Sequence, residues 1–338
     1  MSQLRVSVAL VLLFSGLTLA QSQPVDVQKI GPQTGQKAPA FELPDQTGMS
    51  RTLASVAGSK GTMLVFSRSA EWCPYCRSQM VEIQQNLEAI KAQGLGVAVI
   101  TYDSVAILKA FADKYGITYP LLSDQGSAVI DRWGLRNQAA TGRSAGIPHP
   151  GTFIIDPAAT VTSRTFEQVY QERASTGSVL TSLGARPGRT TTVPGQQVTL
   201  DLSASDAVAT VGHRLALTVR VTPKPKHHVY APGQVGYIPF TLKLASDPAF
   251  KVHAPRYPAS TTYHFAPLKE TVKVFSAPFT LQQDITLALT PDLRTRAERG
   301  ETLTIRGTIE SQACDDAVCY RPESIPVEWT VTLRSLIR

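Results

Sequence analysis

Trp72-Cys73-Pro74-Tyr75-Cys76 stands between a short apolar run, Met63–Phe66, and a segment with helical periodicity. A Cys-x-x-Cys at a strand-to-helix junction restricts the fold sharply. It calls for a layered α/β unit in which a buried strand delivers both sulfurs to the first turn of a helix. Cys314 and Cys319 are the only other cysteines. Two close pairs with no thiol left over suit traffic between dithiols and disulfides.

The residues around the first pair carry the layered reading. Cys76, Met80, Ile83, Leu87 and Ile90 follow a 4-3-4-3 spacing and share one helical face. Pro74 falls at the start of that helix, where its missing N–H costs little. Further strands are expected at 96–101, 151–155 and 160–166. A helix capped by Ser104 should run to about Tyr115, and a closing helix from Gln168 to about Ser182. From Val198 onward the period changes to two. Leu215, Leu217, Val219 and Val221 alternate with polar residues, as do Ile325, Val327, Trp329, Val331 and Leu333. That pattern predicts an antiparallel β-sandwich.

The expected organisation is a signal peptide over 1–20, a leader over 21–37, an α/β domain over 38–182, a linker over 183–197 and a sandwich over 198–338. Arg5, the apolar run from Val6 to Phe14 and the small residues before Gln21 have the order of an export signal. The run is short for a bilayer span of ~20 residues. Export places the cysteines where disulfides persist. The net charge of +7 is scattered and forms no basic helix, which argues against nucleic acid as a partner.

A helix N-terminus favours thiolate over thiol, through unpaired N–H groups and the helix dipole. Cys73 is therefore the expected exposed attacker. Cys76, one turn on, faces the core and resolves mixed disulfides, while Trp72, Pro74 and Tyr75 form the rim. Two blander readings compete. One is a zinc site recruiting all four cysteines; the other is an inert structural disulfide.

Ala70-Glu-Trp-Cys-Pro-Tyr-Cys76 resembles the active site of the thioredoxin superfamily. Ala38–Asp45, Phe111–Gly116 and Tyr119–Asp124 resemble its redoxin branch, which holds the AhpC/TSA peroxiredoxins and TlpA-like reductases. That resemblance implies a thioredoxin-like domain with a central mixed sheet flanked by helices. It also implies a cis-proline facing the sulfurs. Pro150, before Gly151–Asp156, matches that position, with Pro148 the alternative; His149 lies beside it. Peroxiredoxins add a Pro and a Thr or Ser upstream of the attacking cysteine and an Arg from a later strand. Here those positions hold Phe66, Ala70 and Pro150, with Arg68 or Arg143 as conceivable substitutes for the Arg. The departures favour disulfide exchange and leave a thiol peroxidase as the alternative.

The second pair has four residues between its cysteines. The loop is too short to constrain the unfolded chain much, so a redox role competes with a structural staple. Asp315 and Asp316 would disfavour a thiolate there. Gln312–Glu323 resembles the cysteine segment of the N-terminal domain of DsbD-type thiol:disulfide interchange proteins, and His227–Gly233 an early strand of it. The resemblance implies an all-β, immunoglobulin-like sandwich that shuttles electrons, with Cys319 the likelier attacker, Cys314 its partner, and an aromatic cap for which Phe265 is the candidate. The expected partners are client or donor proteins with dithiol/disulfide pairs, with peroxide as the alternative substrate. No cofactor or metal is called for, although His227 and His228 could bind one. A docking module with a stapled loop remains the non-enzymatic reading. The direction of electron flow is not written in the sequence.

Overall fold

The computed structural model describes residues 25–186, 188–265 and 269–338. The export signal expected over 1–20 lies outside them. Within the leader, Val27 is buried against the first domain, and Gln28 donates to the Phe166 carbonyl at 2.9 Å.

A small hairpin opens the first domain: β1 (Glu42–Pro44) and β2 (Ser50–Thr52). Its sheet is built from β3 (Gly61–Phe66), β4 (Leu95–Thr101), β5 (Leu121–Ser123), β6 (Gly151–Ile155) and β7 (Val161–Phe166), in the order β5-β4-β3-β6-β7. β3, β4 and β5 run parallel, while β6 and β7 are antiparallel additions. Every residue of β3 is buried, because both faces of the sheet are covered. Its alternation splits the core in two. Met63 and Val65 pack with the cysteines and the helices α1 (Pro74–Gln85), α2 (Leu87–Ala92) and α3 (Val105–Tyr115). Leu64 and Phe66 pack on the other face with Trp133, Phe153 and α4 (Ala128–Arg132).

The expected apolar face, from Cys76 to Ile90, is buried throughout. The helix carrying it breaks at Asn86, whose side chain donates to the Glu82 carbonyl at 2.9 Å. Ser104 caps α3 by accepting the Ile107 N–H, and Gly116 ends it at φ 64°. The closing helix is shorter than expected. Arg173–Ala174 is instead a strand, β8, and α5 covers only Thr176–Ser182.

Part of the expected linker is structured as well. β9 (Thr191–Pro194) is an edge strand of the sandwich. It joins β10 (Val198–Ala204), followed along the chain by β11 (Val208–Thr210), β12 (His213–Pro223), β13 (His228–Tyr230), β14 (Thr241–Leu244), β15 (Phe250–Val252), β16 (Thr261–Phe265), β17 (Glu270–Phe275) and β18 (Phe279–Leu287). After α6 (Pro291–Glu298) come β19 (Thr302–Ser311), β20 (Ala313–Cys314) and β21 (Glu323–Arg334). One sheet runs β15-β18-β12-β10-β9 and the other β11-β21-β19-β14. A short sheet, β16-β17-β13-β20, carries Cys314. The alternating residues of β12 and β21 face one another in the sandwich core, as their pattern requires.

The two domains share a joint. β8 pairs in parallel with the start of β12, Arg173 opposite His213 and Ala174 opposite Arg214. The far end of the chain closes on α1: Ile337 N–H donates to Ser78 Oγ at 2.9 Å, and Arg77 donates to the Arg338 carbonyl at 2.9 Å.

Candidate redox centres

β3 ends at Phe66, and the segment 67–72 turns the chain into α1. Asp103 holds that turn, accepting from Ser69 Oγ at 2.8 Å, the Ala70 N–H at 2.6 Å and Thr101 Oγ1 at 3.0 Å. Burial keeps the Asp103 carboxyl above its ordinary range despite these donors. Cys73 is the N-cap of α1 and Pro74 its first residue, which puts the pair at the positive end of the helix dipole; the Cys73 side chain itself accepts no capping hydrogen bond.

Cys73 and Cys76 are joined in a disulfide. Both are buried: Cys73 is 1% exposed and Cys76 0%. The expected exposure of Cys73 is thus not found in this oxidised, docked form, and access requires movement of the rim. Trp72 donates from Nε1 to the Tyr102 hydroxyl at 2.9 Å, and the Arg68 and Arg143 guanidinium carbons lie 4.9 and 5.2 Å from its ring. Tyr75 meets Tyr170 edge-on at 6.3 Å and accepts from Arg294 of the sandwich at 3.1 Å. Arg68 also lies 4.2 Å from the Tyr170 ring.

Pro150 and Pro148 are both buried just before β6, and the described residues contain no cis peptide bond. The cis-proline expected at Pro150 is therefore corrected to a trans one. The isomers differ by only ~0.5–1 kcal/mol, so packing decides between them. His149 is half-buried and donates its backbone N–H to Leu135 at 2.7 Å; burial lowers its imidazole's affinity for protons. Phe66, at the peroxiredoxin proline position, fills its space with rings, 4.9 Å from Trp133 and 6.0 Å from Phe153.

Arg173 is a residue at the first pair that the sequence analysis did not single out. It is buried, and its Nη2 lies 3.8 Å from Cys76 Sγ. Three further residues missed by sequence reasoning, Glu82, His213 and Asp206, are buried at the domain joint. Glu82, on α1, accepts the Thr176 N–H at 2.5 Å and lies 2.5 Å from His213 Nδ1, off the line of the ring N–H. Burial alone would raise the Glu82 carboxyl, but the adjacent imidazole outweighs it and holds it low. Asp206 accepts from Ser175 Oγ at 2.5 Å and Ser205 Oγ at 2.6 Å. Burial, reinforced by Glu82, pushes it up to about 6.

The second disulfide, Cys314–Cys319, closes the turn after β20. Asp315 organises that turn: its carboxylate accepts the N–H groups of Ala317 and Val318 at 2.8 and 2.7 Å and the Tyr320 hydroxyl at 2.7 Å. The Val318 N–H, Tyr320 and the Ala317 N–H draw its pKa down to about 2. Asp316 accepts instead from Tyr263 at 2.7 Å. A cavity of about 340 Å³ opens beside the pair, walled by Tyr230, Tyr237, Tyr263, Phe265 and Glu270. Phe265, the expected cap residue, is in that wall. The Tyr230 hydroxyl sits 3.0 Å from Cys314 Sγ and 3.6 Å from Cys319 Sγ. Burial raises its pKa, so it stays a proton donor. His228 is buried opposite Cys314, and His227 stacks on Tyr320 at 5.1 Å.

The two pairs belong to different clusters, Cys73 and Cys76 to the core under α1 and Cys314 to the cluster of the short sheet. Residues following the C-terminal end of β21 rest on α1, next to Cys76, while Glu323 at its start lies just past Cys319. Twelve residues of strand separate these ends, a span of about 35 Å at ~3.3 Å per residue.

Fold and sites together define a thioredoxin-like redox protein with a second, sandwich-borne cysteine pair. Residues 34–164 match the AhpC/TSA family model, and residues 196–328 match that of the N-terminal part of the thiol:disulfide interchange protein DsbD. A Mycobacterium tuberculosis protein that carries the peroxiredoxin name is 34% identical over 123 residues, 36% of this chain and 77% of that protein. Chloroplastic peroxiredoxin Q of Populus jackii is 34% identical over 101 residues, 30% of this chain and 46% of that protein. A solved peroxidoxin from Mycobacterium tuberculosis is 25% identical, covering 45% of this chain and 93% of its own, with a TM-score of 0.38. The chain belongs to the AhpC/TSA family and joins to it a domain of the DsbD N-terminal type.

Proposed function

We propose that this chain is an exported thiol–disulfide oxidoreductase. A partner's disulfide is opened by Cys73, and Cys76 resolves the mixed species. The observation that carries the reading is the bonded Cys73–Cys76 pair at the head of α1, with its second sulfur inside the domain and beside a cation. A second sulfur one helical turn from the first, inside the domain, is what a resolving step needs. Phe66 and Ala70, in place of the peroxide-positioning residues, support the same choice.

The sandwich pair exchanges electrons with a dithiol partner, and Tyr230 supplies a proton to the departing sulfur. β21, about 35 Å long, runs between the segment that follows Cys319 and the segment that rests on α1, so each pair serves a separate molecule or the domains part first. Export fits the DsbD-type module, and no helix among the described residues is long and apolar enough to cross a membrane.

A thiol peroxidase is the second reading, favoured by the peroxiredoxin names of the relatives. Parallel kinetics on the reduced protein separate the two. Fast reaction of the Cys73 thiol with a model disulfide, and slow reaction with hydrogen peroxide, is expected. The reverse order would replace the first reading with the second.

A further inference from the structure

We propose that Arg173 is the electrostatic partner of the Cys76 sulfur, stabilising the thiolate that forms there whenever the Cys73–Cys76 bond is opened. The inference rests on the exchange reading and names the group that drives its leaving step.

Arg173 is a buried cation without a matching anion. Among the described residues no carboxylate lies within ion-pairing distance of it. Its Nη1 donates to the carbonyls of Tyr170 and Glu172, the latter at 2.6 Å, and its Nε has no partner. Glu167, the nearest candidate, is engaged by Arg214 at 2.8 Å, and burial pushes it up to about 7. Arg68 adds repulsion from the other side. Burial first, and Arg68 second, bring Arg173 itself down to about 9. Cys76 Sγ, at 3.8 Å, is the atom on which a compensating negative charge can appear.

The chemistry supplies that charge. An incoming thiolate attacks Cys73 Sγ and forms a new S–S bond. The Cys73–Cys76 bond breaks, and its electron pair stays on Cys76 Sγ as a thiolate facing the guanidinium. A second thiolate of the incoming protein then displaces Cys73, leaving that protein oxidised and this pair reduced. In reverse, the Cys76 thiolate attacks the mixed disulfide at Cys73. A better-stabilised leaving thiolate departs faster and poises the pair toward its reduced form. The bland alternative is that Arg173 only ties down the two backbone carbonyls it reaches.

The test is ultraviolet titration of the Cys76 thiolate in a Cys73→Ser chain, with and without Arg173→Met, together with glutathione equilibration of the otherwise intact protein. With Arg173 present, Cys76 should ionise below the ordinary cysteine value of ~8.5. Arg173→Met should raise that ionisation and lower the equilibrium constant for reduction about ten-fold, the equivalent of one pKa unit, with Arg173→Lys intermediate. Unchanged values in a normally folded Arg173→Met chain would overturn the proposal. Should that variant not fold, the Cys73→Ser titration decides alone, and a Cys76 ionising at or above ~8.5 is the contradicting result. Because titration requires no turnover, failure of the parent to exchange with any disulfide would sink the exchange reading separately.

Discussion

Burying charged groups at the domain joint makes single side chains decisive. His213 is the imidazole that keeps Glu82 ionised inside the protein. His213→Ala strands that carboxylate, and a loss of ~3–5 kcal/mol in denaturant stability is expected; an effect under ~1 kcal/mol would mean that the pair contributes little. Glu167 gives a pH-dependent counterpart. Its folded pKa, about 7, lies above its ordinary value because of burial. The folded chain therefore holds a proton that the unfolded chain has released, and this site weakens folding as pH rises from about 4 to about 7. Glu167→Gln should gain on the parent as pH goes from 5 to 8, by up to about 3 kcal/mol, in paired unfolding curves; a constant difference would contradict the assignment. The two cysteine pairings and the places of Trp72 and Tyr75 beside the first pair were legible because local spacing sets them. Arg173, Glu82, His213 and Tyr230 were not, since each acquires its role from a residue more than 80 positions away.

Regular elements were read well where the pattern is local. The buried run of β3, the Ser104 cap and the alternation of β12 and β21 all appear as expected. Two elements misled. Asn86 interrupts an apolar stripe that by itself continues smoothly to Ile90. Residues 168–175 have helical composition, yet Arg173–Ala174 takes its hydrogen bonds from β12 in the other domain, and no local signal reports such a partner. The short helix α5 then docks closely. A Cβ on Gly177 would lie 2.4 Å from the Ser205 carbonyl oxygen and 2.6 Å from Asp206 Oδ1. Gly177→Ala should loosen the joint by ~1–3 kcal/mol and speed alkylation of the reduced first pair; unaltered alkylation would show that α5 does not gate access.

At the scale of the whole molecule, the sandwich both supports the first pair and carries the second one away from it. Electron transfer between the two pairs is expected to run between molecules: mixing one chain that retains only Cys73 and Cys76 with another that retains only Cys314 and Cys319 should show it, at rates that rise with concentration. Transfer in the intact chain that is independent of dilution would instead require the domains to separate and meet again. The central claim is that Cys73 forms a covalent link with a partner protein and Cys76 releases it. Its most direct test is a Cys76→Ser chain recovered from its native compartment and resolved by non-reducing mass spectrometry. Protein adducts linked through Cys73 are the expected result. A Cys73 found only as oxidised sulfur acids, with no protein attached, would contradict it.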